Sequence, residues 1–314
     1  MSSASMWDVH RLPRRPESTF LVTGAASGIG YFVTEQLAST GAEVVLAART
    51  PAKLDAARQA VRARVPGARL RSLVVDLADL GSVRSAADEL KGTRLDGAVF
   101  NAGVLKQPER RETADGHELV VGTNHFGHFA LGALLLTLME PGGRLVTMGS
   151  VAARSARLDM ADLESTAAPY KGFQVYRMSK LAQMVFGFEL DRRLREADVP
   201  VTSVVAHPGG ALDGLTPSRP PVHLRRAADF LKAAPLSPLV QGKDSAAWPA
   251  VRALLDPEVR GGQLWGPRTA RSKGRPVLEQ PTALMQDITI AHRLWELSEE
   301  AVGLTWPLPA ADAL

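Results

Sequence analysis

Short, largely apolar runs alternate along the chain with longer stretches whose apolar positions recur every three or four residues. The runs are Thr19 to Val22, Val44 to Leu46, Leu70 to Val75, Gly97 to Phe100, Arg144 to Met148 and Val201 to Ala206. Between them, helical periodicity covers Ile29 to Leu37, Thr50 to Arg64, Ser82 to Leu90, Gly116 to Leu138 and Phe173 to Glu196. Thr50 and Pro51 supply an N-cap and a proline suited to the first helical position. Strands apolar on both faces, each followed by a helix, predict an α/β fold. Its core is a single doubly wound parallel sheet of about seven strands, with helices on both faces and right-handed crossovers.

A polar arm, residues 1–17, precedes this pattern, and one domain over 18–267 accommodates it without a linker. From 208 to 257 the periodicity breaks up around eight prolines, at 208, 217, 220, 221, 235, 238, 249 and 257. Such a segment at the C-terminal edge of the strands reads as a substrate lid. Residues 268–314 read as a helix and tail packed on the same domain. The helix spans Ala283 to Val302, with Leu284, Ile288, Ala291, Trp295 and Leu297 on one face.

Composition narrows the function classes. The chain has 314 residues, 45% hydrophobic and 22% charged, which is ordinary for a globular enzyme-sized domain. Its formal net charge of +4 is scattered, giving no stripe for nucleic acid. There is no cysteine, which removes disulfides, thiolate catalysis and cysteine-held metals. No 18-residue apolar stretch and no apolar leader stand out, so neither a membrane span nor a secretory signal is expected, and the chain reads as cytoplasmic. His117, His125 and His128 share one helix, but without a second ligand cluster no metal site is expected.

The loop Thr23-Gly24-Ala25-Ala26-Ser27-Gly28-Ile29-Gly30 joins the first strand to the first helix. Gly24 suits a tight turn, Gly28 lets backbone approach a diphosphate, and Gly30 permits close helix packing. The helix N-terminus adds free N–H groups and partial positive charge. A dinucleotide is the natural ligand of this Rossmann-type arrangement, although a glycine-rich turn without a ligand would have the same spacing. The second strand ends in Ala48-Arg49 with no carboxylate, which favours the 2′-phosphate of NADP(H) over the free ribose of NAD(H). A solvated surface arginine is the alternative. Asp76, followed by Leu77 at the end of the third strand, is placed to accept from an adenine amino group, or else simply caps a helix.

Tyr176 and Lys180, four apart on the longest helix, can act on one ligand. A phenol of reference pKa about 10 needs roughly 3–4 kcal/mol of phenolate stabilisation to work near neutral pH, and a neighbouring ammonium can contribute it. Ser150, after Gly149 at the end of the fifth strand, is placed to donate to a carbonyl oxygen that gains negative charge.

These segments together resemble the short-chain dehydrogenase/reductase family. They are TGAASGIG at 23–30, FNAG at 100–103, Asn124 in TNHFGHF, Ser150 in GSVAA and YRMSK at 176–180. DGHELVVGTNHFGHFALGALLL and YRMSKLAQMVFGFEL are most similar to the branch of retinol dehydrogenases and protochlorophyllide reductases, and a weaker likeness continues through HPG, GGQLWGP and RLWELSEE. The resemblance implies interconversion of a carbonyl and an alcohol on a small hydrophobic substrate. It implies Tyr176 as general acid in reduction, Ser150 as carbonyl-orienting donor, Lys180 as ribose ligand and Asn124 as holder of a relay water. Gly24, Ser27, Gly28, Ile29 and Gly30, with Arg49, Asp76 and Leu77, would line the cofactor. Asn101, Ala102 and Gly103 would flank its adenine ribose, and Pro208 and Gly209 would close the site. A homodimer or homotetramer paired through helices 116–138 and 173–196 is also implied.

One position departs from the family pattern. Relatives carry threonine four residues after the glycine of the Pro-Gly pair, where it binds the nicotinamide carboxamide, and this chain has Asp213, with Thr216 three further on. That departure keeps open a non-redox use of the same fold, as an isomerase, a cyclase or an NADPH-sensing binding protein.

Overall fold

Eight strands make one sheet in the computed structural model, which describes residues 7–167 and 169–309. Residues 1–6 of the expected arm and 310–314 of the expected tail lie outside the described residues. The first half runs β1 (Thr19–Thr23), α1 (Gly28–Ser39), β2 (Glu43–Ala48), α2 (Pro51–Arg64), β3 (Arg69–Val74), α3 (Leu80–Glu89) and β4 (Leu95–Phe100). Next come α4 (Leu119–Val121), a π-turn over Gly122–Phe126, α5 (Gly127–Leu136), β5 (Met139–Met148), α6 (Gly172–Glu196) and β6 (Thr202–Ala206). Then follow α7 (Ala227–Ala233), α8 (Lys243–Ala246), α9 (Trp248–Leu255), β7 (Leu264–Thr269), β8 (Lys273–Glu279) and α10 (Ile288–Val302).

The strand order is β3-β2-β1-β4-β5-β6-β7-β8, parallel up to β7, with β8 antiparallel to β7. Val22 pairs with Leu46 on one side and Val99 on the other, so the order reverses between β1 and β4. Ligands of open α/β sheets bind at the strand C-termini beside such a reversal. Both sheet faces are covered, as strands without polar alternation require. Tyr31, Phe32 and Leu37 of α1, Leu54 and Val61 of α2, and Val251 and Leu254 of α9 fill one face. Val83 of α3, Phe129 and Leu131 of α5, Leu181 and Val185 of α6, and Leu294 and Trp295 of α10 fill the other.

Four sequence expectations change. The sheet has eight strands, because Arg271 and its neighbours turn the chain back and residues 273–279 of the expected tail pair as β8. The 116–138 helix starts at Leu119, where the Glu118 carboxylate caps it by accepting from Val120 N and Val121 N, and the π-turn then interrupts it. The final helix starts at Ile288, where Asp287 caps it by accepting from Ile290 N. Ile288 itself is 58% exposed, and Leu294 and Val302 complete the buried face instead. Leu119–Leu136 carries no Asp, Glu, Lys or Arg and is apolar enough, by length and composition, to cross a membrane. Asn124, His125 and His128 disguise it in the sequence, and 89% of it is buried within the fold.

The 208–257 segment divides into two parts. Residues 223–232 are mostly exposed, whereas α9 lies under the sheet with Pro249, Ala250, Val251 and Leu255 buried. Any lid therefore belongs to the part before α8. Helices α5 and α6, implied by resemblance to pair between subunits, carry α10 of the same chain on part of their outer surface. Trp295 stacks edge-on to Phe129 at 5.0 Å and lies 5.2 Å from Trp306, with the Arg193 guanidinium 4.3 Å from its ring. Trp295→Ala is expected to cost about 3–5 kcal/mol of stability, the usual range for a buried indole, measurable by urea denaturation.

Candidate active site

The glycine loop folds as its composition demands. Gly24 has φ +65°, in the region that favours glycine, and a Cβ there would lie 2.9 Å from Ala102 Cα. A Cβ on Gly30 would run into the Gly24 carbonyl, so the loop and the first turn of α1 can pack only as glycines. Thr23 ties β1 to β4: its Oγ1 accepts from Asn101 N at 2.9 Å and Ala102 N at 3.0 Å, while Asn101 Nδ2 donates to Thr23 O. Two loops that bracket the sheet reversal are thereby locked together.

A cleft of about 510 Å³ opens above them, within the range of cofactor pockets. Most of the residues singled out in the sequence line it: Gly24, Ser27, Gly28, Ile29, Arg49, Asp76, Leu77, Asn101, Ala102, Gly103, Tyr176, Lys180 and Pro208. Gly30, Asn124, Ser150 and Gly209 do not form its wall. Gly30 and Asn124 support residues that do, Ser150 follows the wall residues Met148 and Gly149, and Gly209 packs against Ser272. Thr50, Lys53, Thr123, Leu105 and Lys243 also line the cleft and were not singled out. Lys53 was legible, since it lies four residues after Arg49 on the first turn of α2. Lys243 was not, because nothing in the sequence links it to the glycine loop.

At the β2 end, Arg49 and Lys53 are exposed, and neither side chain has a hydrogen bond or ion pair among the described residues. Asp76 Oδ1 accepts from Ala78 N, but the cap of α3 is Asp79, so the capping role considered for Asp76 is already taken.

At the other end stand Tyr176 and Lys180. Tyr31 and Tyr170 are committed elsewhere, donating to Glu35 and Glu118, and burial with those carboxylates pushes both phenols up. The half-buried Tyr176 phenol has no partner among the described residues and stacks 6.4 Å from Phe173. Lys180 Nζ donates to Met148 O at 3.0 Å and Gln183 Oε1 at 2.8 Å, and burial pushes its ammonium down to about 8. Ser150 Oγ accepts from Ala152 N at 3.2 Å, which leaves the hydroxyl proton free to donate.

Asn124 sits in the π-turn, a distortion frequent at functional sites. Its Oδ1 accepts from Val104 N at 2.7 Å, and its Nδ2 donates to Val104 O and to Ser179 Oγ. The side chain thus fixes the 103–104 loop against α6. Its main-chain oxygen faces His128 Nδ1 at 2.9 Å, and His128 Nε2 faces the Thr23 hydroxyl at 2.9 Å. Burial pushes His128 down to about 3, so the ring is neutral, donating from Nδ1 and accepting at Nε2. His117 bonds Glu164 and Ala301 O, and His125 bonds Ser298.

A switch-point cleft with a glycine loop and an unpaired phenol beside an ammonium defines a dinucleotide-dependent oxidoreductase class. Known proteins are similar to this chain. The short chain dehydrogenase family model matches residues 18–216. Polyprenol dehydrogenase of Mus musculus is 35% identical over 292 residues, covering 90% of this chain and 83% of that protein. Retinol dehydrogenase 13 of Homo sapiens is 32% identical, covering 93% and 86%. The crystal structure of an uncharacterised protein from Mycobacterium paratuberculosis matches with TM-score 0.78 and 32% identity over 96% of this chain and 99% of that one. The chain belongs to the short-chain dehydrogenase family, in its retinol dehydrogenase-like branch, and is an oxidoreductase of CH–OH and C=O groups.

Proposed function

We propose that the protein is an NADP(H)-dependent reductase of a lipophilic aldehyde or ketone, with Asn124, Ser150, Tyr176 and Lys180 as its working set. The observation that carries this reading is the unpaired Tyr176 phenol, set beside a buried ammonium in the cleft that also holds the glycine loop. The residues present fit a dinucleotide. Gly28 lines the cleft with open space where a side chain would begin, Asp76 faces the adenine end, and Arg49 and Lys53 offer two free cations where a 2′-phosphate would lie. Bound there, the reduced cofactor supplies hydride to a carbonyl carbon. Tyr176 gives its proton to the carbonyl oxygen, Ser150 donates a hydrogen bond to the same oxygen as charge develops, and the Lys180 ammonium stabilises the phenolate left behind. Asn124 holds the loop that shapes the site floor. A pure binding role would need neither the free phenol nor the free serine hydroxyl.

Leu105, exposed in the cleft wall that Tyr176 also lines, and Phe173, exposed and stacked near Tyr176, support an apolar substrate. Polyprenol and retinol, the alcohols in the relatives' names, are of that kind. The test of cofactor choice is a fluorescence titration with NADPH and NADH. NADPH is expected to bind more tightly, and Arg49→Ala to weaken NADPH about 10–100-fold, the effect of losing a charge-assisted phosphate contact, with NADH hardly changed. Equal affinity for both nucleotides in the unaltered protein would refute the NADP(H) assignment.

A further inference from the structure

Asp213, the departure noted in the sequence, lies in a charged cluster beside the glycine loop. It opens a short turn, Asp213–Leu215, after β6, and its Oδ1 lies 2.5 Å from Lys243 Nζ and 3.8 Å from His223 Nδ1. Lys243 begins α8, and its backbone is anchored: Lys243 N donates to Thr216 Oγ1, which in turn donates to Leu212 O. Its side chain lines both the main cleft and an adjoining cavity of about 210 Å³, and Ser27 and Gly28 line both as well. Among the described residues, Lys243 is therefore the one cation of the cleft wall that also lines the adjoining cavity with Ser27 and Gly28. Arg49 and Lys53 stand at the β2 end, and Lys180 is held by Met148 O and Gln183.

We propose that Lys243 is a diphosphate-binding residue of this cleft, and that Asp213 holds its ammonium in place until the diphosphate of the dinucleotide takes it over. The inference rests on the dinucleotide reading above and adds a residue to it. A diphosphate carries two negative charges, whereas the glycine loop offers backbone N–H groups and about half a positive charge from the helix end. A carboxylate in the same place repels that ligand unless a cation stands between them. Lys243 meets that requirement, and an ion pair with a carboxylate 65% exposed is weak enough to be exchanged. Asp213 then competes with the cofactor for Lys243, so its removal strengthens binding.

The experiment compares dissociation constants of NADPH and of adenosine 2′-monophosphate, which has no diphosphate, for the unaltered protein, Lys243→Ala and Asp213→Asn. Lys243→Ala is expected to weaken NADPH about 10–100-fold and to change adenosine 2′-monophosphate less than about twofold. Asp213→Asn is expected to tighten NADPH several-fold. Unchanged NADPH binding in Lys243→Ala overturns the inference while leaving the dinucleotide reading intact. An equal loss for both ligands overturns it as a general disturbance of the cleft, and weaker binding in Asp213→Asn overturns the competing role of Asp213. Failure of the unaltered protein to bind NADPH refutes the dinucleotide reading itself.

Discussion

Replacing Tyr176 by phenylalanine is expected to lower carbonyl reduction by roughly 10³-fold, within the range that a positioned general acid contributes, while NADPH binding stays within about twofold. The expectation follows from the other two tyrosines. Tyr31 and Tyr170 each donate to a carboxylate and are held as phenols, so neither can stand in as a proton donor in the cleft. The substitution removes one oxygen and leaves the ring stacked near Phe173, so the cleft keeps its shape. Stopped-flow measurement of NADPH oxidation with a hydrophobic aldehyde, beside a fluorescence titration of NADPH, separates the two effects. Turnover retained within tenfold would remove Tyr176 from the mechanism. Loss of NADPH binding in parallel would make it a structural residue instead.

Legibility of the site depended on whether the chemistry of a position is local. Tyr176 and Lys180 share a helix face by spacing alone, and the glycine loop encodes its turn and close approaches within eight residues. Arg49 was readable because the end of β2 sits a fixed distance along the chain from that loop. Lys243 was not, because its link to Ser27 and Gly28 exists only after β6, the exposed 213–240 segment and α8 have been brought together. The same holds for the support of Lys180. Gln183 is one turn further along α6 and could have been suspected, but its amide faces Phe100 O and His128 across the sheet edge, a contact with no sequence signature.

The fold was legible where burial is symmetrical. Six parallel strands and their helices follow from apolar runs, because a strand covered on both faces leaves no polar alternation to misread. β8 escaped for the opposite reason: Lys273, Arg275 and Glu279 alternate with smaller and apolar residues on an edge strand, and antiparallel pairing needs only a short turn from β7. The π-turn escaped because Gly122, Asn124 and Gly127 fit an ordinary helix pattern equally well. Gly127 is pressed against the Leu77 carbonyl and Asn124 is tied to Val104, both tertiary contacts. Ile288 was assigned to the buried face by extrapolating a helix period back through Asp287, which caps the helix and starts its first turn there.

Lys180→Met is expected to cut reduction by about 10³-fold and to remove a pH dependence of both activity and stability. Burial pushes the Lys180 ammonium down to about 8, whereas a lysine in the unfolded chain titrates near about 10.4. Below about pH 8 both states hold the proton, and the folded protein bears the full cost of the buried charge. Between pH 8 and 10 the unfolded chain holds more protons, so folded stability rises with pH through that window, by up to about 3 kcal/mol relative to a variant without the group. Activity runs the other way. If the ammonium is what stabilises the Tyr176 phenolate, kcat/KM for reduction falls as pH rises through about 8, since that parameter reports the free enzyme. Urea denaturation at pH 7 and 10, beside kcat/KM profiles across the same range, tests both signs in one pair of proteins. A wild type whose stability relative to Lys180→Met does not rise, or whose kcat/KM increases through pH 8, would mean that Lys180 holds Met148 and Gln183 in place without acting through its charge.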